Sequence, residues 1–432
     1  MRHTLIAVCC LLATQIAVSH ESSDLAAEAR SILGAGQGAY VEAADGTVLL
    51  AQAADKAVHP ASISKIPTTL ALLRKLGADH RFLTTFASSG PVVNGTLTGD
   101  LLVECGGDPS LVDENALMIA RQLGALGIKR VAGELRVRGS LTFDWKDDDS
   151  GVRLRRALSG FIPPEAVAAV RSLQPVRSTE SAITLPVARR IEFIHAAGIV
   201  APAVTATALP SAAAMPTRTI AVSGGGTTGA SRERALVVNR SQPLLSLLKG
   251  LNDYSNNIVK QLADQAGGAS AVESVARSVV PAFMRDEIVL GDGAGTDPRN
   301  RLSPRVTVIL LRTLDTDLAA TGHHLFDVLP VAGVDDGTLQ DRLDEPSEVG
   351  RVVGKTGTFG SYGASALVGA ISTSDRGTVY FAILNHGVPV GTARRRQDRF
   401  VRVLLARLHT VPWDYQRDPR PAIARTEVVG MQ

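Results

Sequence analysis

The chain has 432 residues, 45% of them hydrophobic and 20% charged, and a formal net charge of +3. That balance is the one of a globular protein with room for roughly two or three domains. The charge is too small to argue for a nucleic-acid partner.

Arg2 and His3 precede an apolar run from Leu5 to Val18, and Ala17-Val18-Ser19 offers small residues for cleavage. This reads as a secretory signal peptide over residues 1–19. The run is short for a bilayer, and no later stretch is long and apolar enough to span one. The product is expected to be exported, to the periplasm, cell envelope or medium, and soluble or peripheral. Cys9 and Cys10 lie inside the run, so Cys105 is the only cysteine left after cleavage. An intramolecular disulfide is then impossible, and the lone thiol reads as buried rather than reactive.

Gly38 to Glu42, an Asp45-Gly46 turn and Thr47 to Leu50 predict a β-hairpin. Ile66, Leu70, Leu73 and Leu76 then recur at helical spacing. Pro67 is tolerated only early in a helix, which puts the helix start close to Ser62. Short strands are predicted at 82–86, 91–93 and 97–103, with a turn at Asn94-Gly95. A helix over 113–126, a strand over 131–141, Phe143-Asp144-Trp145 and a charged loop at 146–150 follow. Residues 175–227, rich in Ala, Pro, Thr and Ser, read as short strands and loops. Helices are predicted at 243–250, 255–266, 272–283 and 304–314, and a hairpin over 365–384. The last helix, 392–408, carries a stripe of Phe400, Val401, Leu404, Leu405 and Leu408. The Pro-containing tail after it reads as a strap or a disordered segment.

Three short motifs carry chemistry. Ser62 and Lys65, three residues apart, can share one helix face. A deprotonated Lys65 could take the proton of Ser62 and make it a nucleophile, helped by the positive end of the helix. Alone, the pair is more simply a helix cap and a solvated charge. Downstream, Ser255-Asn256-Asn257 opens a predicted helix, and Lys355-Thr356-Gly357-Thr358 precedes a predicted hairpin. Each alone is again ordinary. S-x-x-K, S-D-N and K-T-G in this order mark class A β-lactamases and penicillin-binding proteins.

Further stretches narrow the likeness: Pro60 to Lys65, Gly106-Gly107-Asp108-Pro109, Asp292 to Gly295 with Asn300 to Pro304, and Leu329 to Val334 followed by Gly337-Thr338-Leu339. With these the chain resembles the low-molecular-mass class C penicillin-binding proteins, the D-alanyl-D-alanine carboxypeptidase/endopeptidase family S13. The likeness covers about 38–408 and is patchy between 146 and 226, where this chain looks shorter. Asp335-Asp336 looks like a one-residue insertion, and the middle motif is Ser-Asn-Asn rather than Ser-Asp-Asn.

The resemblance implies an α+β fold: a β-lactamase/transpeptidase-like domain, an antiparallel sheet covered by helices, split by a large inserted, mainly β region. The catalytic parts would be 20–81 and 240–410, the insertion 82–239, and the tail 411–432. The long separation of Ser62 and Ser255 and the composition changes near 81 and 235 fit this independently.

It also implies roles. Ser62 would be the nucleophile and Lys65 its base. Asn257 would orient Lys65 and hold the substrate amide, and Ser255 would relay a proton to the leaving amine. The N–H groups of Ser62 and Thr358 would form an oxyanion hole. Lys355 and Thr356 would bind the substrate carboxylate on the strand that Gly357 and Thr358 continue. Asp144 would meet the cationic end of a stem peptide, or else be a surface turn acid.

The expected function is that of a serine-type D-Ala-D-Ala carboxypeptidase and/or endopeptidase. It would act on peptidoglycan stem peptides through an acyl-enzyme, with β-lactam antibiotics as covalent inhibitors and no cofactor. No metal is predicted, because the histidines show no H-E-x-x-H or paired spacing. A β-lactamase would share the fold and nucleophile, but 257–355 holds no E-x-x-x-N element to place a deacylating water. A catalytically dead cell-wall binding module should have lost at least one of Ser62, Lys65, Ser255, Asn257 and Lys355, and all are intact.

Overall fold

The computed structural model describes residues 23–173, 191–193 and 233–431. The proposed signal segment with Cys9 and Cys10, and all of 175–227 except 191–193, lie outside the described residues.

Along the chain, helix α1 covers residues 23–33. β1 (Gly38–Ala43) and β2 (Val48–Gln52) form the hairpin around Asp45-Gly46, and α2 (Lys65–Leu76) follows. Next come β3 (Leu83–Ser88), β4 (Leu101–Cys105), α3 (Asp113–Ala125), β5 (Leu135–Arg138), α4 (Val152–Leu158) and α5 (Pro164–Ser172). β6 (Arg234–Arg240) leads into α6 (Leu244–Asp253), α7 (Val259–Ala266), α8 (Gly268–Ser278) and α9 (Pro304–Ala319). β7 (Val352–Phe359), β8 (Ala364–Thr373), β9 (Gly377–Asn385) and α10 (Val390–Arg407) precede β10 (Glu427–Gly430). No helix among the described residues is long and apolar enough to cross a membrane.

The chain divides into two compact units, one running to Arg81 and resuming at Gln242–Arg420, the other Phe82–Ser241 with Pro421–Gln432. In the first, an antiparallel sheet has the order β7-β8-β9-β1-β2. Eight of the ten residues of β8 are buried in an unbroken run, the pattern of a strand covered on both faces. One core joins Val41, Leu367, Ile371, Phe381 and Ile383 of the sheet to Leu25 and Leu33 of α1 and to Phe400, Val401 and Leu404 of α10. Burying each such side chain is worth ~1.5–3 kcal/mol. Helix α9 packs on β9 and β1, and α2 packs against α7, α8 and α9. Strand β7 is left at the sheet edge.

Two motif-bearing helix starts differ from expectation. Ala61–Ser64 is a single 3-10 turn, and α2 begins only at Lys65. Ala61 has φ 51°, a left-handed conformation that a regular right-handed helix cannot contain. Ser255 does not open a helix either. It has φ 53°, and Asn256 Oδ1 accepts from the Ile258 N–H at 3.0 Å, a local side-chain turn that competes with helix. Helix α7 therefore starts at Val259. Helix α8 ends at Ser278 rather than running to 283, and Pro281 then leads a 3-10 segment, Ala282–Glu287.

The second unit has a sheet of order β10-β6-β3-β4-β5, antiparallel except for β4 beside β5. Its core includes Phe86, Val103, Leu123, Phe143, Leu154 and Val237. Residues 131–141 are not one strand. Gly133 leaves the line, its absent Cβ being 2.3 Å from Asp100 Oδ1, and that oxygen accepts the Glu134 N–H at 2.9 Å. Helices α3, α4 and α5 accompany these strands. The tail is ordered at its end: after a 3-10 turn at Ala422–Arg425, β10 pairs with β6. Cys105 is part-buried, and burial pushes its thiol up to about 12.

Candidate active site

The turn carrying Ser62 is held from three sides. His59 Nδ1 accepts the Ala61 N–H at 3.1 Å, and His59 Nε2 donates to the Asp297 carbonyl at 3.0 Å. These two bonds fix a neutral imidazole with its proton on Nε2, and burial lowers its pKa further. The ring stacks on Phe359 with centroids 4.7 Å apart. From the strand side, a Cβ on Gly357 would lie 2.7 Å from the Pro60 carbonyl oxygen. From below, a Cβ on Gly295 would lie 1.9 Å from the Ala61 carbonyl oxygen. Only glycine permits both approaches, so the 3-10 turn is clamped between β7 and the 291–296 loop.

That loop is itself rigid. The Asp292 carboxylate accepts from the N–H groups of Gly295 (2.8 Å) and Thr296 (3.1 Å), from the Thr296 hydroxyl, and from Asn300 Nδ2 (2.9 Å). Burial would raise its pKa, but these donors outweigh it and hold the carboxyl below its ordinary value. Thr68 Oγ1 of α2 ties the loop down through the Gly293 carbonyl at 2.8 Å.

Lys65 is fully buried. Its Nζ lies 2.8 Å from Ser62 Oγ, 3.0 Å from Asn257 Oδ1 and 2.8 Å from the Ala294 carbonyl. Burial lowers its pKa to about 8, with the Asp292 charge opposing the shift. The partner set has a chemical consequence. The Ala294 and Asn257 oxygens can only accept, whereas a serine hydroxyl can also donate. When Lys65 is neutral its two N–H bonds go to the first two, and its lone pair falls on the Ser62 hydroxyl. This arrangement can move a proton from Ser62 to Lys65.

Lys355, Thr356, Gly357 and Thr358 lie on edge strand β7. Lys355 is fully buried, and its Nζ donates to the Thr356 carbonyl at 3.0 Å. Burial and then the Lys65 charge hold its pKa well below the usual lysine range, with Asp253 opposing. The Gly354 N–H donates outward, away from β8, to the Pro330 carbonyl at 3.0 Å. By the two-residue alternation of a strand, the N–H groups of Thr356 and Thr358 point the same way. Thr358 is exposed, and its Oγ1 accepts from Arg394 Nη2 at 3.0 Å.

Ser255 lies in the turn between α6 and α7, two residues before Asn257, with its N–H donating to the Asn252 carbonyl at 3.2 Å. The turn is buttressed by 337–338: the Thr338 N–H donates to the Asp253 carbonyl at 2.9 Å, and a Cβ on Gly337 would lie 2.3 Å from that oxygen. Lys249 joins the Leu329 carbonyl (2.8 Å), Asp253 and Asp335, and Asp335 also accepts from Tyr415 Oη at 2.7 Å.

Ser62, Lys65 and Asn257 are thus directly bonded, and β7 packs against their turn. Asp144 belongs to the other compact unit. There it has φ 49°, accepts from the Asp113 N–H at 3.3 Å, and has its carboxyl pKa raised, chiefly by burial. Sequence reasoning did not single out His59, the Ala294 carbonyl or Arg394. Of these only Arg394 has a visible sequence signal, the Arg394-Arg395-Arg396 run. No cluster of three metal-ligating side chains occurs among the described residues.

The profile of the D-Ala-D-Ala carboxypeptidase 3 (S13) family matches residues 21–225 and 212–407. The chain belongs to the S13 peptidase family. By family this S13 chain is a serine-type D-Ala-D-Ala carboxypeptidase. It is 26% identical over 439 aligned residues to a D-alanyl-D-alanine carboxypeptidase of Actinomadura sp. (strain R39), covering 85% of this chain and 80% of that one. It is 26% identical over 390 residues to carboxypeptidase DacB of Mycolicibacterium smegmatis, with the same two coverages. Its fold matches a penicillin G-acylated predatory endopeptidase from Bdellovibrio bacteriovorus, in complex with an immunity protein, at TM-score 0.68 and 21% identity. That match covers 91% of the S13 chain and 99% of the other. Penicillin-binding protein 4 of Haemophilus influenzae matches at TM-score 0.58 and 18% identity, covering 90% and 99%. The α+β architecture expected from the sequence is shared with these structures.

Proposed function

We propose that this S13 peptidase removes the terminal D-alanine from peptidoglycan stem peptides, or cuts D-alanyl cross-links, through an acyl-enzyme on Ser62, and that penicillin acylates the same serine. The observation carrying the proposal is the partner set of Lys65, which leaves its lone pair only Ser62 to face.

Neutral Lys65 takes the Ser62 proton as Oγ bonds to the carbonyl carbon of the penultimate D-alanine. The negative charge moves onto the carbonyl oxygen, received by the N–H groups of Ser62 and Thr358. Each such donor is commonly worth ~3 kcal/mol. As the C–N bond breaks, Ser255 gives its hydroxyl proton to the leaving amine and regains one from Lys65, which returns to the neutral amine. Water then attacks the ester, Ser62 regains its proton, and the peptide leaves as a free acid. Lys355, Thr356 and Thr358 receive the carboxylate carried by the leaving side, and Gly357 lets the strand approach the nucleophile. The site of action is the cell envelope, reached by export on the 1–19 segment.

Mass spectrometry of muropeptides before and after incubation tests the reading. Loss of one terminal D-alanine, or splitting of dimers into monomers, is expected. Unchanged muropeptides with folded protein would contradict it.

A further inference from the structure

Helix α10 packs on β8, and side chains from one of its faces reach the sheet. Gln397 Nε2 donates to Ser365 Oγ at 3.1 Å and to Asn385 Oδ1 at 2.9 Å. Arg394 is one turn earlier on the same face, and its Nη2 donates to Thr358 Oγ1 at 3.0 Å. Ser365 and Thr358 are direct partners across β8 and β7, so both helix residues reach one rung of the sheet. The neighbouring arginines turn elsewhere: Arg395 donates to Thr392 Oγ1 at 3.2 Å and Arg396 to the Leu33 carbonyl at 3.3 Å. Arg394 and Thr358 are both exposed.

Donor counting shows what the contact does. A hydroxyl has one hydrogen and two lone pairs. With a guanidinium N–H bonded to its oxygen, Thr358 keeps its own hydrogen for another acceptor. The guanidinium has further N–H groups and is permanently charged. Lys355, the other cation assigned to that carboxylate, is enclosed beside Lys65 and donates to the Thr356 carbonyl, so it offers its charge from the buried side of the strand. Arg394 therefore brings a solvent-facing cation, paired with a free hydroxyl donor, to the open end of β7.

We propose that Arg394 and the Thr358 hydroxyl together bind the carboxylate on the leaving side of the substrate, which makes Arg394 a specificity-determining residue for anionic leaving groups. This rests on the Ser62 acyl-enzyme reading. The chemistry recognised is a carboxylate one or two bonds from the leaving heteroatom.

Two thioesters with the same N-acyl-D-alanyl group test it, one releasing mercaptoacetate and the other mercaptoacetamide. Both acylate Ser62 with loss of a thiolate, and they differ only in the charge. Wild-type protein is expected to have the higher kcat/KM on the acid. Arg394→Ala should lower kcat/KM on the acid at least ~10-fold more than on the amide, the size of a charge-assisted hydrogen bond. Arg394→Lys should restore part of that preference, because it returns the charge without the planar fork. Equal loss on both substrates, or no loss, would overturn the role of Arg394 and leave the acyl-enzyme reading standing. Folded wild-type protein inert to both thioesters would overturn that reading and this one with it.

Discussion

Asn257 and Lys65 are separated by 192 residues, yet Asn257 Oδ1 accepts from Lys65 Nζ at 3.0 Å. This one contact decides where the lysine lone pair points, because it and the Ala294 carbonyl use the other two directions. Acylation needs the deprotonated amine, so kcat/KM should climb with rising pH through about 8 and then level. Asn257→Asp would place an anion beside Nζ and favour the ammonium form. The climb should then move to higher pH, read from the pH profile of kcat/KM on an activated acyl donor. A midpoint that stays put would show that Lys65 is not the titrating base.

The approach of Gly295 to the Ser62 turn gives a second expectation. An added Cβ would meet the Ala61 carbonyl oxygen at 1.9 Å and the Ser62 nitrogen at 2.8 Å, at a φ of 85° that side chains disfavour. Gly295→Ala should destabilise the protein by ~3 kcal/mol or more through backbone strain and overpacking. Gly36 has nothing within 4 Å of its would-be Cβ and no positive φ. Gly36→Ala should stay within ~0.5 kcal/mol of wild type. Denaturant melts of the two variants decide it, and equal midpoints would contradict the clamp on Ser62.

Asp144 gives a third. Its turn is fixed by two consecutive left-handed residues, φ 49° at Asp144 and 61° at Trp145. If its carboxylate receives the cationic end of the stem peptide, Asp144→Asn should slow cleavage of a peptide with a free side-chain amine by ~10-fold relative to its acetylated twin. Competition between the two peptides, followed by chromatography, measures the ratio. An unchanged ratio would make Asp144 a turn acid only.

Much of the site was legible because its chemistry is written in side chains at fixed spacing. Ser62 with Lys65, Asn257, and the Lys355–Thr358 strand could be named before any fold was known. What escaped was encoded elsewhere. The Ala294 carbonyl is backbone, which no residue type marks. Arg394 lies in a run of three arginines, and only the helix phase separates the one that reaches Thr358. The helix predicted from Ser255 starts instead at Val259, because Asn256 closes a local turn that periodicity does not register. Helix α4 was not predicted, for another reason: its seven residues bury only Leu154, Ala157 and Leu158, too short a stripe to show a period. The hairpin of β8 and β9 was plain, since long apolar runs around Asp375-Arg376-Gly377 leave few alternatives.

The central claim is that Lys65 makes Ser62 a nucleophile for D-alanyl carbonyl groups. Penicillin tests it most directly, since its strained carbonyl resembles that target and its leaving amine stays tethered after ring opening. Intact-mass measurement over time should show one penicillin added per chain, mapped to Ser62. The adduct should outlast peptide turnover, be absent in Ser62→Ala, and form at least ~100-fold more slowly in Lys65→Ala. A Lys65→Ala protein that is folded and acylated at the wild-type rate, or an adduct on a residue other than Ser62, would contradict the account.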